Sequence, residues 1–245
     1  MDKKGNRIGV IMENNDFKSN NLNEEYYKHN LMAGEEILDI YTRNMKLVGQ
    51  ARRDATHKEG FWHKTFHCWI VQQDKKGNKY ILFQRRAKEV LNFPNLLDIT
   101  VAGHILSNEK EHEFVREINE EIGLDIDFKE LMFLGRRYHL NSHMGTINNE
   151  ISEVYLFESN TDINTYKFQK EEVSGIFKIN IKDGLNLFSG KIDEIKAEGI
   201  LINENEANQF ILKKEDFINH NVDNYFLKIC IIADLYFKGY EFLHI

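Results

Sequence analysis

The sequence predicts an α+β fold in which helices sandwich a mixed β-sheet. Three observations support this prediction. Segments rich in β-branched and aromatic residues recur between residues 36 and 180, a glutamate-rich amphipathic helix interrupts them after residue 103, and apolar residues return at helical spacing near the C-terminus. The chain has 245 residues, of which 42% are hydrophobic, so it can bury a substantial core.

The strands are predicted from runs of strand-forming side chains that are bounded by turn-forming residues. In chain order they lie near 36–41, 46–52, 64–72, 79–86, 97–102, 130–138, 150–157 and 174–180. The stretch Asp74-Lys-Lys-Gly-Asn78 supplies a hairpin turn between the third and fourth strands. Pro94, the single proline, stiffens the loop before the fifth strand because its φ angle is fixed.

The interrupting helix is predicted to run from about Glu109 to Ile122. Asn108 is a favourable N-cap residue, and Glu111 three positions later completes a pair that resembles a capping box. Gly123 supplies the permissive backbone at which helices commonly end.

Three carboxylates share one face of this helix, because Glu117, Glu120 and Glu121 stand at i, i+3 and i+4. The opposite face carries an apolar stripe of Phe114, Val115, Ile118 and Ile122. Like charges at this spacing repel one another by a few tenths of a kcal/mol. A solvated face with Arg116 and Lys110 as partners would explain them, and so would a hard cation such as Mg²⁺.

The two ends of the chain differ in how far they can be interpreted. Near the C-terminus the apolar residues at helical spacing are Phe217, Val222, Tyr225, Phe226, Ile229, Ile232, Leu235 and Tyr236. Residues 1–33 are rich in Asn, Lys and Glu and form either a flexible arm or a segment that docks on the partner subunit of a homodimer. We assign residues 34–245 to one domain, since no repeat or long linker divides them.

Charge and cysteine content exclude several classes of protein. The formal net charge of −7 gives no general attraction to the backbone of a nucleic acid polymer. No apolar run has the length of a membrane span, and no apolar segment follows the charged N-terminus. Two cysteines do not make a disulfide framework. We therefore expect a cytoplasmic protein without a membrane partner.

The segment from Gly103 to Leu124 resembles the Nudix box, whose pattern is G-x5-E-x7-R-E-U-x-E-E-x-G-U with U aliphatic. The positions of matching type are Gly103, Arg116, Glu117, Ile118, Glu120, Glu121, Gly123 and Leu124. Agreement at so many fixed offsets is improbable by chance, and it favours the cation over the solvated face. The resemblance also implies a Nudix-type α/β/α sandwich.

One interval departs from the pattern, because the spacing between Gly103 and Arg116 is one residue short. Either Glu109 or Asn108 occupies the slot of the first glutamate, so we give Glu109 only a secondary role. The shortfall lies in the loop or the first helical turn, and it leaves the geometry from Arg116 to Gly123 intact.

The resemblance implies hydrolysis of a diphosphate linkage in a small-molecule substrate, with Mg²⁺ or Mn²⁺ as the cofactor. Carried over by position, Glu117, Glu120 and Glu121 are metal ligands, and the Gly103 carbonyl is a further ligand. Arg116 orients a glutamate. Such a site neutralises the diphosphate oxygens and activates a water.

The sequence upstream of the box indicates which branch of the superfamily the chain resembles. Tyr80-Ile-Leu-Phe-Gln-Arg-Arg-Ala87 and Asp98-Ile-Thr-Val-Ala-Gly-His104 are similar to the isopentenyl-diphosphate-isomerase-like subgroup, and the likeness covers roughly residues 35–177. The isomerases have a catalytic cysteine before the Gly-His pair, whereas this chain has Ala102. Alanine transfers no proton, which disfavours an isomerase.

The subgroup also implies roles for histidines. In the isomerases two upstream histidines and the Gly-His histidine join glutamates around a metal, and His57, His63 and His104 are the counterparts here. We weigh a metal or phosphate role for His104 equally against a structural one. His57 and His63 lie one residue closer together than in the isomerases, so we assign them structural or substrate-contacting roles, with His63 as a substrate-binding residue.

Further candidates lie on either side of the box. Arg85 and Arg86 are consecutive on a predicted strand, so one should face the substrate and bind its diphosphate while the other faces water. In many Nudix hydrolases a glutamate well after the box completes the site, and Glu172 resembles it, with Glu150 as a rival. Glu121 or Glu172 would then be the general base, assisted by Glu120.

The sequence therefore favours a metal-dependent Nudix hydrolase. A Nudix domain that binds a phosphorylated metabolite without turnover is the alternative from a different class. An isopentenyl-diphosphate isomerase is the third reading, and Ala102 counts against it.

Overall fold

A computed structural model describes residues 36–110, 112–143, 146–218 and 223–245. The predicted N-terminal extension, residues 1–33, lies outside these ranges. The strands are β1 Ile37–Tyr41, β2 Leu47–Arg52, β3 Trp62–Gln73, β4 Lys79–Arg86, β5 Leu97–Asp98, β6 Val101–His104, β7 Met132–His143, β8 Thr146–Glu158, β9 Val173–Asn180, β10 Glu194–Leu201 and β11 Asn208–Lys213. The helices are α1 Arg53–Glu59, α2 Arg116–Ile122, α3 Ile181–Phe188 and α4 Tyr225–Tyr236.

Within the described ranges, these eleven strands form one sheet. The order is β11-β10-β9-β4-β3-β1-β2, with β5 beside β4, β6 and β8 beside β3, and β7 beside β8. The pair of β3 and β8 is parallel, and the others are antiparallel. The predicted mixed sheet is therefore confirmed. The central strand β3 is buried along almost its whole length, as expected for a strand with elements on both faces.

Two cores flank the sheet, because successive side chains of β3 point to opposite faces. Trp69 and Val71 join one core, which also contains residues of α3 and α4. Cys68 and Ile70 join the other core, which contains the apolar stripe of α2. The sheet is thus sandwiched between α2 on one face and α3 with α4 on the other, which confirms the predicted fold class.

Helix α2 is shorter than predicted, and the N-cap assignment was wrong. A 3₁₀ turn, Glu113–Val115, precedes the helix, and the residue before that turn is His112 in a left-handed conformation, with φ 73°. The carboxylate of Glu109 accepts a hydrogen bond from the Leu106 amide, so this segment belongs to a loop. The predicted end is confirmed, since Gly123 has φ 72°.

Four elements were not predicted. Three of them, α3, β10 and β11, lie after residue 180, and the fourth is α1. Strand β10 was missed partly because Gly199 weakens its strand propensity. A Cβ atom at Gly199 would lie 2.6 Å from Phe177 Cδ1, so the close approach of β10 to β9 requires glycine. Two of the residues predicted at helical spacing near the C-terminus are not observed in α4. Phe217 is buried but precedes the helix, and Val222 lies outside the described residues.

A buried ion pair fastens the start of α4 to strand β7. Arg137 donates from Nε to Asp223 Oδ2 at 2.7 Å and from a terminal nitrogen to Oδ1 at 3.1 Å, and its guanidinium lies 4.0 Å from the centre of the Tyr225 ring. The Tyr225 hydroxyl accepts a hydrogen bond from Trp69 Nε1 and lies 3.0 Å from His67 Nδ1. These polar contacts fix α4 over the first core. No helix in the described ranges combines the length and apolar character of a membrane span.

Replacing Arg137 with methionine should lower the free energy of unfolding by about 3 kcal/mol, because Asp223 would lose the partner of a largely buried charge. The neighbouring Arg136 has a side chain that is 47% exposed and pairs with Glu153, so Arg136→Met should cost less than about 1 kcal/mol. Urea unfolding measures both. Equal losses in the two variants would contradict the role given to the Arg137–Asp223 pair.

Candidate active site

Helix α2 places a carboxylate directly over strand β6. Glu117 lies against the backbone of Gly103, where a Cβ atom would come within 2.6 Å of Glu117 Oε1. Glycine at this position therefore makes room for the glutamate. The pKa of Glu117 is raised to about 7, mainly by burial and also by the neighbouring Glu120 and Glu172, against the lowering effect of Arg116.

Glu121 is the most buried carboxylate of the site, with 1% of its surface exposed. Its pKa is well above the usual value because of burial, and because Glu117 and Glu172 carry like charge nearby. The backbone amide of Ala102 donates a hydrogen bond to it. Within the described structure, its Oε2 atom has no hydrogen-bond partner. A buried acceptor in this state is costly unless a donor or a cation reaches it.

Arg116 lies between three carboxylates. Its Nε is 2.6 Å from Glu109 Oε1, and one terminal nitrogen lies 2.9 Å from Glu117 Oε1 and 2.8 Å from Glu120 Oε2. Burial opposes the charged form, but Glu117 and Glu109 raise the pKa of Arg116 above its usual value. The guanidinium thus orients the acidic side chains. Glu120 is the outermost, with a side chain that is 49% exposed.

Glu172 approaches the same carboxylates from the loop before β9. The amide of Ala87 donates to the Glu172 carbonyl at 2.7 Å, and the amide of Gln169 donates to the Glu121 carbonyl at 3.0 Å. These bonds tie residues 169–172 both to the end of β4 and to the end of α2. The Glu172 side chain is exposed, and its charge raises the pKa values of Glu117 and Glu121.

The two arginines at the end of β4 have different surroundings. Arg86 lies 3.4 Å from Asp98 Oδ2 and lowers the pKa of Glu121, so it belongs to the acidic site. Arg85 donates from Nε to the Asn95 carbonyl and has no such effect among the main influences on Glu121. Of the two candidates, Arg86 is therefore the one whose charge acts on Glu121.

A second cluster contains three histidines. Ligand nitrogens of His57, His63 and His104 all lie within 4.8 Å of one another, and the Nε2 atoms of His57 and His104 are 3.3 Å apart. His63 Nδ1 lies 2.9 Å from the Phe61 carbonyl, which can only accept, so Nδ1 carries the proton. The lone pair therefore lies on Nε2, which is buried and, in the described structure, without a partner.

The environment keeps these rings neutral. The pKa of His57 and of His63 is lowered to about 4, mainly by burial and in part by the charge of Arg53. Burial likewise holds the pKa of His104 well below its usual value. Neutral imidazole is the form that binds metal ions.

The two clusters lie on opposite sides of β6, and the metal-ligand role of His104 stays a prediction. Gly103 faces Glu117, so the next residue, His104, points to the other face. The rival glutamate, Glu150, pairs with His63 across β3 and β8 and so belongs to the histidine side. Glu172 alone of the two late glutamates lies at the acidic cluster.

Three residues at these sites were missed or given too small a role. Glu109 pairs with Arg116, Asp98 pairs with Arg86, and Glu36 Oε2 lies 3.6 Å from His104 Nδ1. Asp98 offered a signal, because a charged residue opening an otherwise apolar strand needs a partner once buried. Glu36 offered none.

A scan of protein-family models gives no match to this chain. A curated relative, an uncharacterised Nudix hydrolase of Clostridium acetobutylicum, is 34% identical over 209 residues, which is 82% of this chain and 99% of the relative. An isopentenyl-diphosphate Δ-isomerase of Clavibacter michiganensis subsp. michiganensis is 28% identical over 122 residues, or 49% of this chain and 61% of the isomerase.

Among solved structures, a Deinococcus radiodurans protein aligns with 63% of this chain and 90% of its own, with a TM-score of 0.45 and 24% identity. The curated Clostridium relative carries the assignment, because it matches along nearly its whole length. On that similarity, and with the box residues assembled around Arg116 as described, the chain belongs to the Nudix hydrolase family.

Proposed function

We propose that this Nudix hydrolase cleaves a diphosphate linkage in a small organic molecule at the cluster of Glu117, Glu121 and Glu172. The observation that carries the proposal is Glu121, a carboxylate that is 1% exposed and has an unpartnered Oε2 atom beside two further glutamates. Such a group is stable in charged form only when a cation reaches it.

The residues fit a hard divalent cation. Nudix hydrolases generally use such ions, and here the donors offered are carboxylate oxygens together with the Gly103 carbonyl, the ligand type that Mg²⁺ and Mn²⁺ prefer. Glu117 and Glu121 would hold the ion, with the more exposed Glu120 as a further ligand. When bound, the ion neutralises diphosphate oxygens and lowers the pKa of water.

We assign the other roles in hydrolysis to three side chains of the protein. Arg116 holds Glu117 and Glu120 in place through its ion pairs. Arg86, kept in position by Asp98, is the guanidinium that would bind the diphosphate oxygens. Glu172 is exposed and close to both buried carboxylates, so we assign it the general base that takes a proton from the attacking water. The buried Glu121 is better suited to hold a cation.

The isomerase reading has no support from the geometry at residue 102. Ala102 pairs with His67 across β3 and β6, at the position where the isomerases carry a cysteine, and its methyl group transfers no proton. A binding domain without turnover is the remaining alternative. It predicts ligand affinity without release of phosphate-containing products.

The histidine cluster supports a second, separate ion. Three neutral imidazoles suit softer divalent metals such as Zn²⁺ as well as Mn²⁺, and the unpartnered Nε2 atom of His63 points to the need for a ligand there. We therefore extend the proposal for His104 to His57 and His63. In this arrangement His63 is a metal ligand and not a substrate-binding residue.

Hydrolysis can be tested with Glu117→Gln and Glu121→Gln, which remove the charge and keep the shape. We expect each to lower kcat/KM at saturating Mg²⁺ by at least about 100-fold, because the cation loses a ligand. Glu113→Gln is the matched control, since this side chain is 50% exposed on the turn before α2, and its activity should stay within about twofold.

The substrate for this assay comes from a screen of nucleotide sugars, dinucleotides, deoxynucleotides, coenzyme A and isoprenoid diphosphates, scored for released phosphate. Activity that persisted unchanged in the Glu121 variant would refute the site. Binding of a screened compound without any release would favour the non-catalytic alternative.

Gly103→Ala tests the metal site without altering any charge. The added methyl group would overlap Glu117 and displace its carboxylate, so Mn²⁺ affinity measured by electron paramagnetic resonance should fall by at least about tenfold. Gly49→Ala is the control, because a Cβ atom there meets Ile40 at an ordinary 3.8 Å. Equal affinities in both variants would show that Glu117 holds no ion.

The histidine cluster predicts an unusual titration in chelator-treated protein. The rings of His57 and His63 should stay neutral down to about pH 4 by NMR, whereas in urea they should titrate near 6.5. The stability gained from burying them neutral is complete above about pH 6.5 and is lost as the pH falls through 4. A ring that titrated at 6.5 in the folded protein would mean that the cluster is not assembled.

A further inference from the structure

One buried polar side chain near the acidic site has no role in the hydrolysis proposed for it. Gln84 lies in β4 and is 4% exposed. Its Oε1 atom is buried and, among the residues that the structure describes, has no hydrogen-bond partner. A buried acceptor without a donor destabilises the folded chain, and an apolar residue at this position would avoid that cost. The glutamine is therefore better explained by a ligand than by the fold.

The alternation of side chains along β4 places Gln84 on the face of the sheet that α2 covers. Leu82 belongs to the core that contains the apolar stripe of α2, and Gln84 and Arg86 follow it at spacings of two. Gln84 also pairs with Asp98 of the neighbouring strand β5, and Asp98 forms the ion pair with Arg86. Gln84 is thus an immediate neighbour of the guanidinium assigned to the diphosphate.

Hydrogen bonds connect this end of β4 to both late-acting glutamates. The Ala87 amide, three residues beyond Gln84, donates to the Glu172 carbonyl at 2.7 Å, and the Gln169 amide donates to the Glu121 carbonyl at 3.0 Å. The three peptide units between these two bonds span at most about 11 Å. The end of β4, the base Glu172 and the end of α2 therefore lie within one small region.

Two further buried oxygens without partners belong to the same surroundings. One is Oε2 of Glu121, and the other is Oδ1 of Asn92, the residue whose carbonyl accepts a hydrogen bond from Arg86 Nε at 3.0 Å. Like Gln84 Oε1, both atoms are acceptors, so the missing partners are hydrogen-bond donors or a cation. The oxygens of a fully ionised diphosphate only accept hydrogen bonds and cannot fill this need. Water can, because it donates two.

We propose that Gln84 is a positioning residue that holds the attacking water, an inference that rests on the proposed hydrolysis. The water donates one hydrogen to Gln84 Oε1 and directs the other at Glu172. As its oxygen bonds to phosphorus, Glu172 takes that second proton. The bond from phosphorus to the bridging oxygen breaks, and its electron pair leaves on the released phosphate. Gln84 transfers no proton, since it is neutral, and it fixes the direction of the lone pair.

A crystal structure of the full chain soaked in manganese tests the water without any turnover. We expect electron density for a water within about 3.0 Å of Gln84 Oε1. The same water should be missing in Gln84→Leu, which keeps a similar volume and has no acceptor. Gln84→Met replaces this variant if it fails to fold, with the same expected loss.

Gln72→Leu is the matched control. Gln72 lies in β3 and is 8% exposed, but its Nε2 donates to the Thr161 carbonyl at 2.7 Å. The midpoint of urea unfolding should fall in Gln72→Leu, because that carbonyl loses its donor, and should stay equal or rise in Gln84→Leu. A ligand-binding role predicts this contrast, whereas a structural role for Gln84 predicts a fall in both variants.

Kinetics separate positioning from substrate binding. With a compound that the unmodified chain hydrolyses, kcat should fall at least about tenfold in Gln84→Leu while KM stays within about twofold. Both constants should stay within about twofold in Gln72→Leu. A rise in KM at constant kcat would contradict the inference, because it would make Gln84 a contact of the bound substrate.

Two other results would overturn the inference. One is a manganese-soaked crystal in which a protein donor, and not a water, reaches Gln84 Oε1. The other is Gln84→Leu with unchanged kcat. Both leave the hydrolytic function standing, because the unmodified chain still releases phosphate. If the unmodified chain hydrolyses no screened compound, the proposed function fails, and the inference fails with it even where the crystal shows the water.

Discussion

The burial of Glu121 is the constraint on which the site depends. A carboxylate with 1% exposure cannot stay ionised in an apolar layer without compensation, and Ala102 supplies only one hydrogen bond. The surrounding structure is arranged around this need. Arg116 forms ion pairs with Glu109, Glu117 and Glu120, and its positive charge offsets their repulsion of the Glu121 carboxylate. The loop that carries Glu172 is hydrogen-bonded to the Glu121 carbonyl. The apolar stripe of α2 then anchors the helix to the sheet.

Strand β6 gives the fold two chemically different surfaces within two residues. Gly103 faces oxygen donors and His104 faces nitrogen donors, because side chains alternate along a strand. The first surface suits hard cations and phosphate, and the second suits softer ions. The chain is similar both to a Nudix hydrolase and to an isopentenyl-diphosphate isomerase, and it has alanine at position 102, two residues before His104.

The sequence predicts the parts of this arrangement that depend on local spacing. Glu117 and Glu121 share a helix face at fixed offsets, and Gly123 ends that helix in the expected left-handed conformation. Long-range contacts cannot be predicted from local spacing. The parallel pairing of β3 with β8 joins His63 to Glu150 across 87 positions of chain, and His57, His63 and His104 meet from three separate elements. Asp98 was overlooked because its partner, Arg86, lies on a different strand.

The loop between His104 and α2, in which the box is one residue short, contains His112 in a left-handed conformation. Changes of length in this loop do not alter which face of the sheet each β6 side chain points to. An insertion or deletion of one residue within β6 would be different, because it would exchange the faces of every side chain beyond it. A change of length in the loop therefore leaves the faces of the β6 side chains as they are, whereas within the strand itself the alternation of inward and outward positions is fixed.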